Sequence, residues 1–301
     1  MTSLITTPGI YYDIPIERYH GEEICDSPSI SSSGLKLIDV CPRKYWYQSA
    51  LNPNRAPRKT TRALNMGKAI HEVLETGRLG PSFHIVPDGF SEAHHKKWAE
   101  HMPAYLEAVE RRAIVIQQKE ADTATAMIEE LRRHELADAL FSNGVAEATL
   151  AWKDKETGVW LRVRPDWLPN ARLYIPDYKS CLDASPAAFS RALDNYDYYC
   201  SAALYLEGIR EVFGEPLLAR NFIFVAQEKE PPHVVQLYQL DEGARAWGAS
   251  QNRRAIRKFD TCLQTGKWPG YGRPVEPIDL PVWRQRDLTA QAEAGLLEYA
   301  A

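Results

Sequence analysis

The sequence predicts an α/β fold in which a central mixed sheet, including an antiparallel meander, is flanked by helices. Two observations lead there. Apolar residues recur at near-helical intervals over long stretches, as with Ile116, Ala124, Met127, Ile128 and Leu131. Between residues 145 and 180 the pattern switches to three short runs of strand length, and helices alternate with two further runs after them.

Taken in order, the first thirty residues are rich in Tyr, Pro and Ser and read as an extended N-terminal arm, 1–30. Ser31, Ser32 and Ser33 then precede Leu35, Leu37 and Ile38, and serine is a strong helix cap, so a helix is predicted over 32–47. A loop at 52–63 carries Pro53, Arg55, Pro57, Arg58, Lys59 and Arg62, and a helix at 64–77 ends at Gly77. Residues 91–142 read as mostly helical. Strands are predicted at 145–153, 159–168 and 172–180, with Lys155-Glu156-Thr157-Gly158 as a polar turn, and these three make the meander. Helices at 185–192 and 198–213, strands at 219–227 and 234–239, and a helix at 241–265 complete a single domain over 31–268. Pro269, Pro274, Pro277 and Pro281 mark 269–301 as an extended tail with a short terminal helix.

Hydrophobic residues make up 45% of the 301 and charged residues 25%, an ordinary balance for a chain that buries a core. A net charge of -4 argues against wholesale wrapping of nucleic acid, though a local basic groove is enough to engage phosphates. Cys25, Cys41, Cys181, Cys200 and Cys262 are scattered and form no C-x-x-C pair, which argues against a disulfide framework and a zinc ribbon. No stretch approaches the ~18–20 apolar residues of a membrane span. No basic start runs into an apolar segment, so a cytoplasmic, reducing setting is expected.

The most informative segment is Arg162-Val163-Arg164-Pro165-Asp166, followed ten residues on by Asp177-Tyr178-Lys179. Alternate residues of a strand share a face, so Arg162, Arg164 and Asp166 point one way, and Asp177 and Lys179 share a face of the next strand. If the two strands pair in register, two carboxylates and an ammonium converge. Hard cations such as Mg²⁺ bind through one or two carboxylates plus substrate phosphate. The lysine in such a set orients water and stabilises developing charge. A D-x-K triplet by itself is more often a solvated charge pair; Pro165-Asp166 on the neighbouring strand is what lifts it above that.

Asp166 with Asp177-Tyr178-Lys179 is similar to the signature of the PD-(D/E)xK nucleases, and further features resemble their RecE-like exonuclease branch. Gly67-Lys68-Ala69-Ile70-His71-Glu72 looks like that branch's histidine helix. Glu147 opens the first meander strand, where a glutamate is common. The run Tyr196-Asp197-Tyr198-Tyr199-Cys200-Ser201-Ala202-Ala203-Leu204-Tyr205 looks like its aromatic helix, and Ser-Ser-Gly-Leu-Lys at 32–36 with Pro42 and Tyr45 also fits. The resemblance implies a PD-(D/E)xK core. It implies His71, Asp166, Asp177 and the Tyr178 carbonyl as metal ligands, Lys179 as the catalytic lysine, and Glu147 as a supporting or second-metal carboxylate. The cofactor implied is Mg²⁺, with Mn²⁺ as a substitute. It further implies 5′→3′ resection of linear duplex DNA to leave 3′ single strands for a RecT-like annealing protein. A ring-shaped homo-oligomer, a tetramer, in a bacterial host of phage or prophage is also implied. Ser201 departs from the family's Q-x-x-x-Y pattern, in which Tyr205 is retained.

For DNA, the candidates are Arg162 and Arg164 on the catalytic strand, and Arg58, Lys59 and Arg62 leading into the His71 helix, since basic side chains neutralise phosphates. Ser33 at a helix start and Arg43 are candidates for a terminal 5′-phosphate, and Ser201 and Tyr205 for substrate contact. Tyr45, Trp46 and Tyr47 read as core rather than base-stacking. Cys41-Pro42-Arg43-Lys44-Tyr45 also resembles the first cysteine region of iron–sulfur nucleases, but no downstream trio of cysteines follows, so no iron–sulfur cluster is expected. Two other readings use the same scaffold: a structure-specific endonuclease, and a DNA-binding protein that has lost catalysis.

Overall fold

The computed structural model describes residues 4–21, 24–56, 60–214, 221–272 and 275–298. In chain order it begins with β1 (Gly9–Tyr11), α1 (Ile16–Tyr19), β2 (Ser29–Ser31), α2 (Ser32–Val40), α3 (Pro42–Gln48) and α4 (Arg62–Thr76). The middle holds β3 (Phe83–Val86), α5 (Met102–Glu110), β4 (Ile114–Gln117), α6 (Gln118–Arg133) and α7 (Glu135–Leu140). Then come β5 (Gly144–Ala146), β6 (Thr149–Lys153), β7 (Trp160–Val163), β8 (Trp167–Pro169), β9 (Tyr174–Cys181), α8 (Pro186–Asn195) and α9 (Tyr198–Phe213). Last are β10 (Asn221–Glu228), β11 (Val235–Gln239), α10 (Glu242–Thr265) and α11 (Val282–Glu293). The fold is mixed α/β, with mixed sheets flanked by helices.

Several boundaries differ from those expected. The described residues within 1–30 do more than run as an extended arm: β1 pairs antiparallel with β6 and β2 pairs parallel with β7, and Ile5, Ile14, Tyr19 and Ile24 are buried. Short three-residue strands at a sheet edge carry too little periodicity to be seen in sequence. The helix expected at 32–47 breaks at Cys41, whose extended backbone (φ -163°) admits Pro42 at the start of α3. The stretch 91–142 contains β4, which pairs with β3.

The meander is also corrected. One sheet runs β1-β6-β7-β2 and another β11-β10-β9, so the third predicted strand, β9, leaves its neighbour and pairs parallel with β10 instead. Alternation along β9 and β10 then divides the core. Ile175, Phe222, Phe224 and Ala226 join α2, α9 and α10 on one side, while Tyr178 and Val225 join α4 and α6 on the other. Asp177 and Lys179 share the Ile175 parity, and Tyr178 the opposite one. The active-site candidates thus sit on a strand covered on both faces.

The basic run on α10 is neutralised. Arg253 pairs with Asp154 at 2.7 Å, Arg257 with Glu156 at 2.7 Å, and Arg254 and Lys258 both with Asp39. These bonds tie α10 to α2 and to the β6–β7 turn, where Asp154 also accepts from the Thr157 amide at 2.8 Å. Burial works to raise the carboxyls of Asp39 and Asp154. At Asp39 the Arg254 and Lys258 bonds outweigh it, and at Asp154 the Arg253 and Thr157 bonds do, so both lie below the ordinary range. A depressed carboxyl stabilises the fold at pH above its unfolded value of about 3.9, and that contribution disappears as pH falls through the lower folded value. The melting temperature is therefore expected to drop steeply below about pH 4. Asp39→Asn with Asp154→Asn should flatten that dependence while lowering stability near neutrality; an unchanged acid limb in the double variant would remove these pairs from the account.

Met1–Trp268 forms one compact unit and Pro269–Ala301 a second. In the second unit α11 is preceded by a Pro-rich stretch, and Gln285 donates to the Leu280 carbonyl at 2.7 Å. Among the described residues no helix is long and apolar enough to cross a membrane.

Candidate active site

The site forms where a hairpin is interrupted. β6 pairs with β7 (Leu150↔Val163) and β5 with β8 (Ala146↔Trp167), and the register runs on unchanged between the two ladders. That register sets Glu147 opposite Asp166. The ladder is lost between them because Pro165 has no amide hydrogen and Glu147 adopts a left-handed backbone (φ 52°), costly for a residue with a Cβ. Each predicted strand is therefore split in two, and the residues at the breaks are the carboxylates the sequence singled out. Only a weak backbone contact, Glu147 N to the Asp166 carbonyl at 3.4 Å, spans the gap.

Asp166 replaces the missing strand pairing with its side chain. Its Oδ2 accepts from the Tyr178 amide at 2.8 Å, and its Oδ1 lies 3.7 Å from His71 Nδ1. His71 reaches in from α4, whose apolar face (Ala69, Ile70, Val73, Leu74) is buried against α6, and its ring meets Tyr178 edge-on at 5.8 Å. His71, Glu147 and Asp166 each offer one donor atom, all within 4.8 Å of one another. One imidazole nitrogen and two carboxylates at that spacing match what a small divalent cation takes.

Among the described His, Cys, Asp and Glu side chains, the donors that gather include Glu147, expected as a supporting or second-metal carboxylate, and not Asp177, expected as a ligand. Asp177 is buried and ion-paired with Lys179, and Lys179 Nζ donates to the Tyr178 carbonyl at 3.3 Å. A buried carboxylate demands a charge partner, and on this strand the ammonium two residues along is the nearest. Burial opposes the Lys179 charge, but Asp177 and Asp166 outweigh it and hold its pKa above the ordinary lysine range.

Arg164 was expected to face DNA. It instead holds Glu147 (Nε to Oε2, 2.7 Å), donates to the Ile14 carbonyl at 2.8 Å and lies over the Tyr19 ring. Arg162 is buried and donates to the Tyr19 carbonyl at 3.0 Å and to Ser29. Both arginines fasten the N-terminal segment to the sheet, because α1 and the segments around it, with Ile5, Ile14, Tyr19 and Ile24, pack on the face that carries Ala151 and Trp160. Tyr205 is likewise turned inward, its hydroxyl donating to the Arg164 carbonyl at 3.1 Å and its ring packing on Phe222. Ser201 accepts from Ser32 at 3.0 Å, and Ser33 is exposed beside Ser31. Arg43 is exposed on α3, which follows the C-terminal end of α2, while Ser33 lies in the first turn of α2. Arg62 pairs with Glu120 at 2.5 Å. Arg58 and Lys59 lie outside the described residues. Tyr45 is core, packed on Phe259 and Trp268, whereas Tyr47 is exposed.

Two residues near the centre had no role in the sequence reading. Glu75 lies one helical turn after His71, and the i, i+4 spacing was the available signal. Lys36 comes from the same Ser-Ser-Gly-Leu-Lys stretch as the helix cap, but only the fold brings α2 beside β9.

Burial, then Asp166, raise the Glu147 carboxyl against the pull of Arg164. A raised carboxyl costs the fold stability as pH climbs from its unfolded value of about 4.3 through the folded one. A divalent cation needs the ionised form, so its binding should release protons in that window. Calorimetric titration with Mn²⁺ in two buffers of different ionisation heat is expected to show proton release that fades as pH rises past the range in which Glu147 ionises. Release that does not change with pH would exclude Glu147 from the cation site.

A family model described as a PDDEXK-like domain of unknown function, DUF3799, matches residues 31–280. Among solved structures, a protein from Eubacterium rectale described as a "Putative exonuclease" superposes with a TM-score of 0.58 at 16% identity, covering 93% of this chain and 99% of that one. At that identity the likeness is one of fold. The structure of SSO0001 gives a TM-score of 0.30 at 13% identity over 71% of this chain and 90% of that one. No curated protein matches the sequence.

Proposed function

The chain belongs to the DUF3799 family of PDDEXK-like domains, and we propose that it is a Mg²⁺-dependent nuclease that degrades linear double-stranded DNA from its 5′ ends. The observation that carries this reading is the meeting of His71, Glu147 and Asp166 donor atoms within 4.8 Å, beside the Asp177–Lys179 pair. His71, Glu147 and Asp166 would hold the cation, with Mn²⁺ a workable substitute. When bound, the metal supplies stabilisation of charge on phosphoryl oxygens and acidifies water.

The chain's own residues supply the rest. Lys179, kept protonated by two carboxylates, places a fixed positive charge where phosphate oxygens gain negative charge. The Tyr178 amide fixes Asp166, and Arg164 fixes Glu147, so both carboxylates are oriented before substrate arrives. The resemblance to RecE-like exonucleases supports the finer parts of the reading: 5′→3′ polarity, 3′ single-stranded product passed to an annealing protein, a tetrameric ring, and a place in the bacterial cytoplasm. The likeness to the Eubacterium rectale protein, described as a "Putative exonuclease", supports exonuclease over endonuclease.

The test is digestion of a linear duplex labelled separately at its 5′ and 3′ ends, with Mg²⁺ or with EDTA. Mg²⁺-dependent loss from the 5′-terminated strands is expected. Cutting of closed circular DNA would replace exonuclease with endonuclease. Salt-sensitive binding without cleavage under Mg²⁺ or Mn²⁺ would mean a scaffold that only binds.

A further inference from the structure

A second group of side chains meets Lys179 on the face away from His71. Lys179 Nζ lies 5.3 Å from the centre of the Tyr198 ring, and Lys36 Nζ, from α2, lies 5.8 Å from the same centre. Lys36 also donates to the Tyr196 carbonyl at 2.8 Å. The Tyr196 ring stacks on Tyr198 with centroids 5.4 Å apart and planes at 26°. Between them Asp197 has a left-handed backbone (φ 48°), a turn tight enough to bring rings two residues apart into contact. Tyr198 is partly buried with Phe189 and Phe224, whereas Tyr196 is 61% exposed. An aromatic column thus starts in the core, passes Lys179 and ends on an exposed ring, with two ammonium groups along it.

We propose that Tyr196 and Lys36 form a nucleotide subsite, in which an unpaired base stacks on Tyr196 while its phosphate is held by Lys36, next to the phosphate that faces Lys179. The proposal rests on the nuclease reading and deepens it: the strand entering the site is single-stranded at this step, since a paired, stacked base has no free face for the ring. Every base offers such a face, so the grip is tolerant of sequence. Burial and the neighbouring Lys179 both disfavour the Lys36 charge, and a phosphate between the two cations relieves that repulsion. A lysine that only caps the carbonyl end of α8 accounts for the bond to Tyr196, but not for a second cation at the Tyr198 ring or for the exposed tyrosine stacked there.

The experiment uses the full chain, Ca²⁺ in place of Mg²⁺ to suppress cleavage, and a duplex with a short single-stranded end carrying 2-aminopurine. Stacking should quench the probe with wild type and with Tyr196→Phe. Tyr196→Ala should lose the quench and bind about ten- to a hundredfold more weakly. Lys36→Met, which keeps the aliphatic stem, should lower the slope of log affinity against log salt by about 0.7. Quenching that survives in Tyr196→Ala, or an unchanged salt slope in Lys36→Met, overturns the proposal. If wild type cleaves linear DNA with Mg²⁺ while these variants behave like it, the subsite alone is lost. If wild type neither binds nor cleaves DNA, the nuclease reading falls and the subsite with it.

Discussion

Lys179→Met is expected to lower single-turnover cleavage of linear DNA by about 10²–10³-fold or more, the scale for removing one donor aimed at developing charge. Methionine keeps the length and the apolar stem, so packing against Tyr198 persists while the charge goes. The variant should also lose stability. Asp177 is buried and paired with Lys179, and stripping one partner from such a pair costs about 3–5 kcal/mol. Adding Asp177→Asn removes the orphaned charge, so the double variant is expected to regain much of the stability and none of the activity. That separation distinguishes a chemical role from a structural one. Chemical denaturation beside single-turnover rates reads it out; a single variant that is stable and cleaves within about tenfold of wild type would take Lys179 out of the reaction.

For Asp166→Asn the expected loss is in the cation. The amide oxygen of asparagine can still accept from the Tyr178 amide, so the bridge between the β7–β8 break and β9 is retained. The negative charge facing His71 is lost. Perturbing the partners of metal ligands costs about 10–100-fold in affinity, and a ligand itself should fall at or beyond the upper end. The Mg²⁺ concentration for half-maximal cleavage should rise accordingly, while DNA binding in Ca²⁺ at low salt stays close to wild type, since it rests mainly on basic side chains. Wild-type Mg²⁺ dependence in this variant would place the cation elsewhere in the molecule.

Much of this was legible in the primary structure. The helices containing His71 and Tyr205 were both expected from sequence, the first closed by Gly77, and α4 starts two residues earlier and ends one earlier than predicted. Asp166, Asp177 and Lys179 stand out through strand parity and through a proline beside a carboxylate. The arginines were misread for a definite reason. Strand alternation placed Arg162, Arg164 and Asp166 on one face, but not what covers that face. The covering comes from the four-residue α1 and the irregular segments around it, which bury Ile5, Ile14, Tyr19 and Ile24 and carry too little periodicity to register. Once they pack there, Arg162 and Arg164 serve Ser29, Tyr19, Ile14 and Glu147 rather than solvent.

By itself, then, the sequence determined the class of fold, the order of most elements and the candidate site side chains, because those depend on local periodicity and residue type. Only the tertiary structure decided which of them meet. The break in the hairpin at Glu147 and Pro165, the departure of β9 to pair with β10, and the approach of α2 and α4 to opposite sides of that strand bring His71, Glu147 and Asp166 to one point and Lys36 to another. These are contacts between segments up to about a hundred and sixty residues apart, set by which buried faces fit together, and no local pattern in the chain encodes that choice.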